Sequence, residues 1–126
     1  MTLEEALAES GIIAIVRGVK PGEILAVAEA LYSAGVRVIE VPLNSPNPYD
    51  SISLLAAEYQ GRMICGGGTM LTRSHVEKVC AAGGRLAVAP NTDSAVIRRA
   101  VSLRMTPFPG FATTTSGGST AFSAFR

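Results

Sequence analysis

A length of 126 residues is that of one ordinary domain, and 48% hydrophobic against 17% charged side chains argues against a disordered chain. Its 11 basic and 10 acidic side chains give a formal net charge of +1. They are spread through the helical stretches and form no basic stripe of the kind a nucleic-acid surface needs, and no apolar run approaches the roughly 20 residues that span a bilayer.

The chain opens with Met1 to Glu9, an acidic helical stretch that lacks the positive region and apolar run of a secretory leader, so a reducing cytoplasmic setting is expected. Short apolar runs then recur at intervals of roughly two dozen residues: Ile12 to Val16, Val36 to Val41, Met63 to Cys65, Leu86 to Ala89 and Met105 to Phe108. Each reads as a buried strand, and the helical patterns between them make successive βα units of a parallel sheet. In the first crossover Pro21 suits an opening turn, Ile24, Val27, Ala28, Leu31 and Tyr32 form one stripe, and Gly35 supplies a left-handed stop. The segment from Asn47 to Tyr59 reads as a helix with a proline-rich entry. Thr72 caps a helix whose inward stripe is Val76, Val79 and Cys80 and whose stop is Gly83, and Asp93 caps Ala95 to Leu103. Cys65 and Cys80 have neither redox-pair nor zinc spacing and read as buried thiols. After Thr113 the run Thr-Ser-Gly-Gly-Ser-Thr has no apolar stripe. Residues 1–113 therefore read as the βα part and 114–126 as a weakly ordered tail, in which Phe122 and Phe125 mark the edge of a short helix at most.

In parallel α/β folds the chemistry collects at the carboxyl ends of the strands. Those ends are Arg17-Gly18, the Val-Ile-Glu-Val-Pro run containing Glu40, Gly66-Gly-Gly-Thr69, Ala89-Pro-Asn91 and Pro109-Gly110. Period two places Glu40 on the face opposite Ile39 and Val41, inside an otherwise apolar strand. Desolvation there raises a carboxyl pKa and suits it to proton transfer near neutral pH; the alternative is a structural ion pair with Arg17. Arg17 offers a planar fork for a carboxylate or phosphate, or simply ends a strand. The three glycines either admit a ligand to main-chain N–H groups, with Thr69 adding a hydroxyl, or make a tight turn; with no Gly-Lys-Ser/Thr following, they are not a P-loop. Asn91 either presents an amide to a ligand or serves ordinary turn chemistry. His75, the single histidine, reads as a surface residue with no second histidine for a metal site.

At these strand ends the chain resembles the 2-keto-3-deoxy-phosphogluconate aldolase superfamily, in particular its 2-dehydro-3-deoxy-6-phosphogalactonate aldolase branch. The matching runs are Ile13 to Gly18, Val38 to Pro46, Gly66 to Thr69, Ala89 to Asn91, Ser94 to Val101 and Pro109 to Thr113. Glu-Val-Pro-Leu-Asn-Ser-Pro together with Ala-Pro-Asn favours the galactonate branch over the gluconate one. The resemblance implies a TIM-type (β/α)8 barrel, here about five βα units of it, usually homotrimeric. It also implies class I, Schiff-base cleavage of a keto-deoxy sugar-acid phosphate to pyruvate and glyceraldehyde 3-phosphate, without cofactor or metal. Carried over by position, Glu40 is the catalytic proton shuttle, Arg17 and Thr69 contact the keto-acid end, and Asn91 and Pro109 complete the substrate-binding set.

The resemblance further implies a lysine on a sixth strand beyond Pro109. This sequence has lysines only at positions 20 and 78, both read as solvated, and no counterpart of the phosphate-binding turns that follow strands seven and eight. The 126 residues are therefore expected to be inactive by themselves. The competing reading is a five-stranded open sheet of flavodoxin-like type, serving as a ligand-binding or signalling module.

Overall fold

Ten elements alternate along residues 1–110, which the computed structural model describes in full; beyond them it describes only the backbone of 112–113 and 120–121. They are α1 (Leu3–Ser10), β1 (Ile13–Ile15), α2 (Pro21–Ser33), β2 (Val38–Pro42), α3 (Pro48–Glu58), β3 (Ile64–Gly68), α4 (Arg73–Ala81), β4 (Leu86–Val88), α5 (Ser94–Ser102) and β5 (Thr106–Phe108). The strands follow β1-β2-β3-β4-β5 across one sheet, every pair parallel. That order removes the flavodoxin-like alternative, which needs its second strand at the edge outside the first. The backbone of Ala112–Thr113 pairs antiparallel with Thr120–Ala121, strands the sequence reading did not anticipate. The expected weak order of 114–126, and a helix at Phe122 and Phe125, otherwise lie outside the described residues.

The helix boundaries follow local chemistry. Pro21 opens α2 at its first turn, where a missing N–H costs nothing. Thr72 accepts the His75 N–H at 3.1 Å, and Asp93 accepts the Ala95 N–H at 2.9 Å. Gly35 and Gly83 stand just past α2 and α4 with φ of +100° and +98°, the left-handed stop read from the sequence.

Two apolar layers sandwich the sheet. On one face Ile39 and Val41 of β2, Cys65 of β3 and Ala87 of β4 pack under Ile24 and Ala28 of α2, Ile52 and Leu55 of α3, Val76 and Val79 of α4, and Val96 and Ala100 of α5. On the other face Val38, Ile64 and Leu86 pack against Ala6 of α1, so α1 covers the amino ends of the strands there. The carboxyl ends on that second face stay open, and Ile15 is 61% exposed. Gly66 lets β3 and β4 approach: a Cβ there would overlap the Leu86 carbonyl. The glycines of this run are strand residues, not a turn.

Candidate active site

The open face holds a cavity of about 610 Å³ whose walls are Ile13 and Ile15 of β1, Glu40 of β2, Val88 of β4, Phe108 of β5, and Leu7 and Gly11 at the end of α1. Glu40 is the one ionisable group on these walls, and it is 4% exposed. It reaches the cavity because period two turns it away from Ile39 and Val41, whose side chains fill the helical layer. Its carboxylate lies over Gly68 of the neighbouring strand, so closely that a Cβ at Gly68 would overlap the carboxyl group. Oε2 is sealed from solvent without a hydrogen-bond partner. Burial pushes the Glu40 pKa up to about 7, against a smaller pull downward from the Arg17 guanidinium. A carboxyl poised near neutrality in an apolar wall can both take and return a proton at working pH.

The carboxyl ends of the strands are laced together by main-chain hydrogen bonds. The Val16 N–H donates to the Glu40 carbonyl at 3.0 Å, Leu43 N–H to the Gly68 carbonyl at 2.9 Å, Met70 N–H to the Val88 carbonyl at 3.1 Å and Ala89 N–H to the Phe108 carbonyl at 3.1 Å. Arg17 follows β1 with an exposed side chain. It does not pair directly with Glu40: the ion pairs among the described residues are Arg37–Glu9, Arg62–Glu58 and Arg99–Glu77. Arg17 therefore acts on Glu40 at longer range and not as a direct ion pair. Thr69 follows β3 half-buried with φ of +57°, a left-handed conformation that a β-branched residue adopts only under constraint. Strain of this kind costs on the order of 1–3 kcal/mol and concentrates at functional sites.

Arg17 and Thr69 follow β1 and β3, the strands on either side of the β2 that carries Glu40, but neither lines the Glu40 cavity. Asn91 and Pro109 lie at the ends of β4 and β5. Asn91 is exposed and its carbonyl accepts the Gly110 N–H at 3.3 Å, while Pro109 is half-buried. Their loops touch where Gly110 packs on Pro90, and neither residue lines the Glu40 cavity. The sequence reading missed two contributors. Gly68 makes room for the carboxylate, and Ser45, 6% exposed, accepts the Gly18 N–H at 3.1 Å. A glycine in a strand does signal a close approach, but the approaching group is named only by the register that sets Gly66 beside Glu40.

The remaining polar candidates fall elsewhere. Lys20 is the exposed cap residue of α2, and Lys78 is exposed on α4 with its Nζ 5.9 Å from the Tyr49 ring centre. His75 is half-buried and uses Nδ1 to accept the Leu71 N–H at 3.0 Å. Both cysteines are free, Cys65 buried with its thiol pushed up to about 12 and Cys80 half-buried. No cluster of three or more His, Cys, Asp or Glu among the described residues is placed to hold a metal ion.

Successive parallel βα units whose strands follow one another in chain order are the architecture of part of an α/β barrel. The match to known proteins is specific: the family described as KDPG and KHG aldolase matches residues 3–119. The chain belongs to that family. It is 43% identical over 115 residues to the 2-dehydro-3-deoxy-6-phosphogalactonate aldolase of Escherichia coli (strain K12), covering 91% of this chain and 54% of that one. The solved native KDPGal structure superposes with a TM-score of 0.77 at 44% identity, over 80% of this chain and 49% of the other. A KDPG aldolase from Legionella pneumophila, with pyruvate captured as a covalent carbinolamine intermediate, gives a TM-score of 0.77 at 26% identity, over 87% and 53%. The chain thus spans about half the length of the curated relatives it matches. No helix among the described residues is long and apolar enough to cross a membrane.

Proposed function

We propose that these βα units form the acid–base and keto-acid-binding part of a class I aldolase that cleaves 2-dehydro-3-deoxy-6-phosphogalactonate to pyruvate and glyceraldehyde 3-phosphate. The observation that carries the reading is Glu40: a carboxyl group with a pKa near 7, in an apolar cavity at the carboxyl end of a parallel sheet. In such chemistry an amine attacks the keto carbon, and the resulting iminium draws the electron pair of the adjacent carbon–carbon bond as it breaks. Glu40 accepts the hydroxyl proton released by that cleavage and returns it to the pyruvate enamine. Arg17 meets the substrate carboxylate, and the Thr69 hydroxyl holds it from the next strand end. Asn91 and Pro109 border the far side of the same site.

Neither lysine of this sequence suits the amine's role, since Lys20 and Lys78 are exposed on helical elements and neither lines the cavity. The proposal therefore assigns these 126 residues binding and proton transfer but no covalent step. The 43% identical Escherichia coli relative supports the galactonate substrate over its gluconate epimer. Family membership alone carries the accompanying proposals of a cytoplasmic setting and a homotrimer.

Calorimetric titration of the chain with pyruvate tests this reading. Binding is expected in the wild type, weakened roughly tenfold or more in Arg17→Ala, in line with loss of a charge-assisted hydrogen bond. Binding that ignores Arg17, or no binding to the folded wild type, contradicts the proposal. Borohydride treatment with pyruvate is expected to leave Lys20 and Lys78 unmodified by mass spectrometry.

A further inference from the structure

We infer that Ser45 is a positioning residue for this site: its buried hydroxyl fixes the turn that carries Arg17 and so sets how the guanidinium stands to the Glu40 carboxyl. The inference rests on the acid–base reading of Glu40 given above. The β1–α2 turn is pinned at its flanks by Val16, buried in the core, and Val19, packed against it, so the Arg17–Gly18 corner is the part left to a polar anchor. Arg17 is exposed, and Gly18 turns the chain with φ of +80°. The Gly18 N–H points across to β2's loop and donates to Ser45 Oγ at 3.1 Å, a contact between residues 27 apart in sequence.

Ser45 is itself held on both sides. Its N–H donates to the Pro42 carbonyl at 3.0 Å, closing a turn at the end of β2, and the neighbouring Leu43 N–H is bound to the Gly68 carbonyl of β3 at 2.9 Å. A rigid strand end therefore presents the hydroxyl, and the more exposed turn docks on it. Because Arg17 immediately precedes Gly18, a free Gly18 N–H would loosen the backbone from which the guanidinium extends. Among the described residues Arg17 is the charged group acting on Glu40, and the other side chains on the cavity walls, Leu7, Ile13, Ile15, Val88 and Phe108, are apolar. Loss of the anchor should thus be felt at Glu40, although Ser45 does not line its cavity.

The test is a carbon-detected NMR titration of the Glu40 carboxyl in the full chain, for the wild type, Ser45→Ala, Ser45→Thr, Arg17→Ala and the double variant. Ser45→Ala is expected to move the Glu40 midpoint upward, Ser45→Thr to restore it, and the double variant to titrate like Arg17→Ala alone. Pyruvate affinity should fall roughly two- to tenfold in Ser45→Ala, the fold-change for one lost hydrogen bond. An unmoved midpoint in Ser45→Ala beside a raised one in Arg17→Ala overturns the inference, as does an additive double variant. If Ser45→Ala does not fold, hydrogen exchange on the wild type decides: a protected Gly18 amide supports the anchor, and one exchanging at the free-peptide rate removes it. Failure of the wild type to bind pyruvate would sink the aldolase reading separately, since the titrations need no ligand.

Discussion

Replacing Glu40 by glutamine removes the ionisable group and keeps its shape, so it isolates the energetic cost of a charge at this position. The folded-state pKa is about 7 against an ordinary value of 4.5. Between those values the folded chain holds a proton that the unfolded chain has released, so stability falls as pH rises through that window. Below about 4.5 both states are protonated and the penalty vanishes; above about 7 it is fully present. At about 1.36 kcal/mol per pH unit the separation corresponds to about 3 kcal/mol. The cavity opens to water, whose screening brings the expected effect down to about 1–2 kcal/mol. Urea unfolding of wild type and Glu40→Gln at about pH 4 and about pH 8 measures it, since other groups cancel in the difference. The wild type should lose about 1–2 kcal/mol more than the variant between the two conditions. Equal losses would refute the claim that burial controls this carboxyl.

Three further outcomes follow from the geometry. Gly68→Ala places a methyl group against the Glu40 carboxylate and should cost about 1–3 kcal/mol in denaturant unfolding. Thr69→Gly relieves the left-handed backbone and loses the hydroxyl, so a midpoint raised by up to about 1 kcal/mol should accompany weaker pyruvate binding. A loss of both would mean that Thr69 is structural. Asp93→Ala removes the side-chain cap of α5 and should cost about 1 kcal/mol of stability with no change in pyruvate affinity.

The alternation of strands and helices was legible because each signal is local. Pro21, Thr72 and Asp93 start helices, Gly35 and Gly83 stop them, and the Ile39–Glu40–Val41 alternation turns one carboxyl away from the helices. Strand order is not local; here the register Ile15↔Glu40 and Glu40↔Gly66 fixes the neighbours of Glu40. The acidic helix at the start was recognised as helical, but its pattern did not say that Ala6 packs on Val38, Ile64 and Leu86 beneath the cavity. Gly66 to Gly68 looked as much like a turn as a strand, since glycine carries no periodic signal, and only the approach of Leu86 and Glu40 explains them. Ser45 was invisible as a functional residue for a similar reason: a serine after a strand usually satisfies its own turn, whereas this one accepts from residue 18.

The central claim is that Glu40 is a proton-transfer group facing a keto-acid site. Its most direct test is the carbon-detected titration of the Glu40 carboxyl with and without saturating pyruvate. The account predicts a free-chain midpoint raised well above the ordinary 4.5, toward about 7, that moves when pyruvate is added, as the ligand's charge enters the cavity. A midpoint close to the ordinary 4.5, or one indifferent to pyruvate, would contradict it.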